Sequence, residues 1–129
     1  MKNKRLKIVI DRPVSIVFGF TLDPQNTPKW IEGIQKEVTS EWPAEKGTIY
    51  KNQSTDGAWH EYKLAEIDKD KTFVLSEIKG DYHVRYTFRP KSDNSTEFEY
   101  YEWIEKGELD DTVTQATMVK LKEAIEAKK

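Results

Sequence analysis

Two histidines, His60 and His83, are the only imidazoles in the chain, and with Glu102 and the tyrosines they are the groups able to hold or move a proton. On a strand, His60, Tyr62 and Leu64 share one face, because side chains alternate with a period of two. An imidazole beside a tyrosine on a sheet's inner face could act as acid or base, or orient a polar group of a ligand. The simpler reading is a hydrogen-bonded histidine near a strand end. His83 falls on the opposite phase of its own strand, so the two imidazoles point to opposite faces and no shared metal is expected. The chain has no cysteine, which excludes a disulfide framework, a thiol nucleophile and thiolate metal sites. No GxGxxG, P-loop, HExxH or GxSxG pattern occurs, so no cofactor is expected.

The inward set of one strand should be Tyr82, Val84, Tyr86 and Phe88, with His83, Arg85 and Arg89 outside. On the next, Phe98, Tyr100, Glu102 and Ile104 share a face, opposite Glu97, Glu99, Tyr101 and Trp103. Glu102 is then the carboxylate of interest. Facing a closed cavity, it must find a partner or shift its pKa; at a rim it is simply hydrated. The outward glutamates and arginines read as cross-strand pairs on a solvated face. Trp59, Tyr101 and Trp103 all fall on the convex side, where three neighbouring aromatics would form a partner or homodimer surface. A one-residue bulge would instead turn Trp103 inward. Trp30 either closes a cavity mouth or anchors short helices, and Met118 is a core filler or a cavity wall. The candidate ligand-binding residues are therefore Trp30, Tyr50, His60, Tyr62, Tyr86, Phe88, Tyr100, Glu102 and Met118, with no metal site.

These side chains need a scaffold, and 129 residues suffice for one domain spanning 1–129. The net charge is −2, and the basic clusters are confined to KNKR at the start and AKK at the end, so no nucleic-acid face is expected. The opening MKNKRLKIVID places charges where a signal peptide needs an apolar run, and Ile16–Phe20 is far too short to span a membrane. A soluble, cytoplasmic protein is expected.

Leu6, Ile8 and Ile10 alternate with polar residues from Arg5 to Asp11, a strand signature. Asp11 offers an N-cap with Pro13 just inside a helix that should carry Val14, Val17, Phe18 and Thr21 to about Leu22. Asp23-Pro24 and Thr27-Pro28 interrupt it, and a second short helical piece is expected from Pro28 to Gly33. Period two then predicts strands over Ile34–Trp42, Thr48–Ser54, Ala58–Ile67, Thr72–Ile78, Tyr82–Arg89 and Thr96–Ile104. Asp56-Gly57 and Gly80-Asp81 are hairpin signals between them, and the run 90–95 is a further turn. Consecutive short links imply an antiparallel meander. From a cap at Asp110 or Asp111 a terminal helix should run about eighteen residues, roughly 27 Å at 1.5 Å each. Its apolar stripe is Val113, Thr117, Leu121 and Ala124, or Met118, Leu121 and Ile125.

Seven strands and one long helix leave a single solution, an α+β helix-grip fold in which a curved antiparallel sheet wraps the terminal helix and two short helices plug one end. A gap between sheet and helix would admit a ligand. The opening IVIDRPVSIVFGFTLDPQNTPKWIEGI, with Pro13, Val17, Phe18, Asp23-Pro24 and Trp30, resembles the SRPBCC (START-like, Bet v 1-like) superfamily, especially its polyketide cyclase/dehydrase branch. Gly47-Thr48, Tyr62, FEYYEWIEKGEL and VKLKEAIEA are similar to its later pattern, so the resemblance covers the whole chain. The segment from Gly107 to the helix end is shorter than is usual there, which bears on cavity size. The resemblance implies a fold that hosts many ligands. Three functions follow as expectations. One is binding of an apolar or amphipathic, lipid- or polyketide-like small molecule. Another is cyclase or dehydratase chemistry on such a ligand, without metal, using Glu102, His60 and the inward tyrosines. The third is a protein-docking module of the chaperone-cofactor type, using the convex aromatics.

Overall fold

Alternation of Leu6, Ile8 and Ile10 with outward Arg5, Lys7 and Val9 produces the first strand of the structure, a computed structural model describing residues 1–110 and 112–127. β1 (Lys2–Ile10) is followed by α1 (Val14–Leu22) and a short 3-10 helix (Pro24–Lys29). β2 (Ile34–Thr39), β3 (Ile49–Ser54), β4 (Trp59–Asp68), β5 (Thr72–Glu77), β6 (Tyr82–Ser92) and β7 (Ser95–Ile104) form the meander, and α2 (Gln115–Glu126) closes the chain. All seven strands belong to one antiparallel sheet in the order β1-β7-β6-β5-β4-β3-β2. The first two strands of the sequence therefore lie at opposite edges, and α1 with the 3-10 helix carries the chain between them. The fold is the expected α+β helix grip.

Several boundaries differ, each for a local reason. α1 begins after Pro13, which is itself the N-cap in an extended conformation, and Asp11 does not cap it. Instead the Asp11 N–H donates to the Glu126 carboxylate at 2.8 Å, and its own carboxylate accepts from Lys122 at 3.3 Å, tying this corner to the end of α2. The second helical piece lies earlier than Pro28–Gly33, because Asp23-Pro24 both ends α1 and starts the next turn. Asp23 Oδ1 accepts the Gln25 N–H at 2.9 Å, and Pro24 occupies a first-turn position where no N–H is needed.

β2 stops at Thr39, short of Trp42. β6 runs on through Pro90 to Ser92, because the register shifts between Pro90 and Ser92 and the ladder needs no donor from the proline. α2 is twelve residues, about 18 Å long by its rise, and begins at Gln115 after Thr114. Thr117 Oγ1 accepts the Thr114 N–H at 3.0 Å, while Asp110 accepts the Thr112 N–H at 3.1 Å in a turn that precedes the helix. Asp110 is thus not the cap, and Asp111, like the two final lysines, lies outside the described residues. The buried stripe of α2 is Thr117, Met118, Leu121 and Ile125, with Val113 buried just ahead of it.

One core fills much of the concave side: Phe18 of α1, Phe73, Phe88 and Phe98 of the sheet, and Met118, Leu121 and Ile125 of α2. Each such side chain, fully buried, contributes about 1.5–3 kcal/mol to stability. The outer face of the sheet is polar. Glu99, 5% exposed, meets Arg89 (2.7 Å), Arg5 (3.4 Å) and Lys7 (4.0 Å), and Arg89 also meets Glu97 (3.1 Å), the cross-strand pairs expected there.

Candidate functional site

Along β6, from Phe88 toward Tyr82, the inward residues face Phe98, Tyr100, Glu102 and Ile104 of β7 in turn. At the Phe88 end the concave side is filled; toward Tyr82 it opens into a cavity of about 510 Å³, within the usual size range of small-molecule sites. Its walls are Tyr50, Tyr62, Leu75, Val84, Tyr86 and Tyr100, and exposed Glu32, Asp56, Glu108 and Asp110 stand at its rim.

Six of the nine residues anticipated as ligand contacts line this cavity: Tyr50, His60, Tyr62, Tyr86, Tyr100 and Glu102. The other three fill the core behind it. Trp30, 1% exposed, packs edge-on against Tyr86 (6.0 Å between centroids) and Phe98 (6.3 Å), so it anchors rather than closes a mouth. Phe88 packs on Phe18 and Phe98, and Met118 is fully buried in α2. No residue of α2 lines the cavity, which corrects the expected gap between sheet and terminal helix. Leu109, Thr112 and Val113, in the segment before the helix, form that wall instead. The helix is one-third shorter than its periodicity suggested, and irregular chain takes its place.

Glu102 is buried at 3% exposed, not at a hydrated rim. Its Oε1 accepts from both the Tyr82 and Tyr100 hydroxyls at 2.7 Å, and its Oε2 pairs with Lys4 Nζ at 3.4 Å. Lys4 sits directly opposite on β1 and also donates to the Val113 carbonyl at 2.5 Å, so one cation compensates the buried charge and pins the closing segment. Such a carboxylate is a strut. Burial foremost, and then the Glu102 charge, hold the Tyr82 hydroxyl far above its ordinary pKa. It therefore stays a neutral donor.

The second carboxylate in the cavity, Glu37, was not singled out from the sequence. β2 has a bulge between Ile34 and Lys36, so Glu37 lies opposite inward-facing Asn52, while Lys36 and Val38 face out. Its Oε1 accepts from Thr27 Oγ1 at 2.6 Å and its Oε2 from Asn52 Nδ2 at 3.4 Å. Among the described residues, no lysine or arginine forms an ion pair with it. Burial pushes its carboxyl from the ordinary 4.5 up to about 7, opposed in part by those two hydrogen bonds. The same burial raises the Tyr62 hydroxyl to about 12, with the charges of Glu77 and Glu37 adding to it. Tyr50 donates its hydroxyl to the Leu22 carbonyl at 2.7 Å. Tyr86 is 6% exposed, lines the cavity, and its hydroxyl has no hydrogen-bond partner among the described residues.

His60 is exposed at the cavity edge, and His83 is on the convex face, stacked on Trp103 at 4.9 Å, so the two lie on opposite sides of the sheet. Trp103 also stacks on Tyr101 at 5.4 Å, and Arg5 lies over the Tyr101 ring at 4.7 Å. β7 pairs without a register shift across this stretch, so Trp103 stays outward. Trp59 is on β4, with β6 and β5 lying between it and β7, and does not join that cluster. No group of three or more metal-ligating side chains occurs among the described residues, and no helix of theirs is long and apolar enough to cross a membrane.

The model of the "Polyketide cyclase / dehydrase and lipid transport" family matches residues 2–127. No curated protein sequence matches. Solved structures share the fold at low identity. XoxI from Bacillus cereus has a TM-score of 0.77 at 13% identity, covering 98% of this chain and 96% of its own. The Aha1 dimer from Colwellia psychrerythraea has a TM-score of 0.73 at 14% identity, covering 98% and 97%. Norcoclaurine synthase from Thalictrum flavum, solved with dopamine and hydroxybenzaldehyde, has a TM-score of 0.68 at 12% identity, covering 99% and 88%.

Proposed function

The chain belongs to the polyketide cyclase/dehydrase and lipid transport family, and on that premise we propose that it binds an amphipathic small molecule in the cavity bounded by the sheet and by Leu109, Thr112 and Val113. The observation that carries this is the 510 Å³ space itself, apolar along Leu75 and Val84 and punctuated by the tyrosines and Glu37. Concave sites of this kind combine apolar walls with a few placed polar groups. A docking module would need no such space, so that reading is the weaker one. A cytoplasmic location belongs to the same proposal, consistent with a chain lacking cysteine. So does a homodimer, for which Tyr101, Trp103 and the Colwellia dimer are the support.

The acid–base reading keeps one specific observation in its favour, and it concerns Glu37 rather than Glu102 or His60. A carboxyl near neutral pKa, in a cavity and within electrostatic range of Tyr50, Tyr62 and Tyr86, can exchange a proton with a ligand. Native mass spectrometry of freshly purified protein, compared with its denatured form, tests binding. A native excess mass that is lost on denaturation is the expected result. Its absence, together with no saturable binding of hydrophobic probes, would sink the proposal.

A further inference from the structure

The cavity is lopsided in charge. Of its described lining residues seven are Asp or Glu and none is Lys or Arg, leaving the exposed His60 as the one among them that could become cationic. Three of those carboxylates are answered from outside the lining: Glu102 by Lys4 (3.4 Å), Glu108 by Lys2 (3.6 Å) and Glu32 by Lys120 (3.8 Å). Glu37 is not. It holds two neutral hydrogen bonds, and two carboxylate oxygens offer about four acceptor sites, so capacity remains on the cavity side.

We propose that the cavity selects a cation: an amphipathic amine whose ammonium group pairs with Glu37 and whose apolar body lies along Tyr62, Tyr86 and Leu75. This rests on the binding reading above and adds the charge of the ligand. Glu102 is not the anchor, because Lys4 and two tyrosine hydroxyls already satisfy it. Tyr86 offers a second polar point in the wall. Its hydroxyl makes no hydrogen bond among the described residues and stands within range of the Glu37 charge, so it is open to a polar ligand atom. Tyrosine rings also attract an ammonium through their faces. A ligand carboxylate or phosphate would meet charge of its own sign with no lysine or arginine among the described wall residues, so anionic lipid headgroups are disfavoured.

The test uses the intact protein and three ligands of one shape, tryptamine, tryptophol and indoleacetate, titrated calorimetrically at about pH 8, where Glu37 and the amine are both ionised. Tryptamine should bind about tenfold tighter than tryptophol, and indoleacetate weakest, as a desolvated ion pair requires. In Glu37→Gln the amine should fall to the level of the alcohol, whose own affinity serves as the control that the cavity is intact. Equal binding of amine and alcohol by the unaltered protein, or tightest binding of the carboxylate, would overturn the charge selection while leaving the cavity as a binding site. Failure of all three to bind, with no native excess mass, would overturn the binding reading and this inference with it.

Discussion

The concave face of this sheet has a filled end and an open end, built on the same strands with the same alternation. At the filled end Phe88 faces Phe98 across β6 and β7, and Phe18, Phe73 and Trp30 pack around them with ring centroids 5.1 to 6.3 Å apart. Two steps along β6, Tyr86 faces Tyr100, and two further Val84 faces Glu102. The rings acquire hydroxyls at the step where the core gives way to the cavity: Tyr86 still packs on Trp30 and Phe73, and it also lines the open space. Met118, Leu121 and Ile125 of α2 complete the filled end, whereas Leu109, Thr112 and Val113, ahead of the helix, cover the other. A pleated sheet decides only which side chains point inward. Whether the inward set becomes core or cavity wall depends on what the rest of the chain brings against it.

The sharpest way to break this comparison is truncation. Phe98→Ala, at a fully buried site, should cost about 3–5 kcal/mol in chemical denaturation, whereas Tyr62→Phe at the open end should cost less than about 1 kcal/mol. Similar costs would mean that the cavity is as tightly packed as the core.

Glu37 and Glu102, two of the cavity carboxylates, give a smaller and more specific contrast. Glu37 has a folded pKa of about 7 against an ordinary 4.5, so the fold favours its protonated form. Its stabilising contribution is fully present below about pH 4.5 and is lost as pH rises through about 7, a change of about 3 kcal/mol. Glu37→Gln should remove that slope, so its stability relative to the unaltered protein should rise by this amount across the window. A difference that is flat with pH would show that Glu37 is hydrated in the fold.

Glu102 should respond to its partners instead. Lys4→Met leaves a buried charge held only by tyrosines and should cost about 2 kcal/mol, less than a fully buried pair because Lys4 is partly exposed. Tyr82→Phe removes one of two hydroxyl donors and should cost about 1 kcal/mol. If Lys4→Met were neutral, Glu102 would not depend on that cation, and the strut assignment would fail.

Much of the fold was legible because period two and period 3.6 are local properties. The faces of His60, His83, Tyr86, Tyr100 and Glu102 followed from alternation, and the structure places them on those faces. Glu37 was not legible for the same reason. One extra residue, Gln35, shifts the phase of β2, and simple alternation from Ile34 would have put Lys36 and Val38 inside. The available signal was weak: a phase that buries Glu37 and Thr39 while exposing Val38 runs against hydrophobic pattern. Trp30 and Met118 were legible as either core or cavity wall, and Phe88 as inward, but alternation could not choose between core and wall, since filling is a property of facing elements.

By itself, the sequence determined an α+β helix grip, the meander, the inward tyrosines and the polar outer face, because each depends on residues a few positions apart. Only the tertiary structure decided that α2 stops short of the cavity, that Lys4 compensates Glu102 across 97 intervening positions of chain, and that Glu37 lies inside with no lysine or arginine partner among the described residues. Those outcomes depend on which side chains meet through space, and a buried charge takes its properties from the groups around it rather than from its neighbours in sequence.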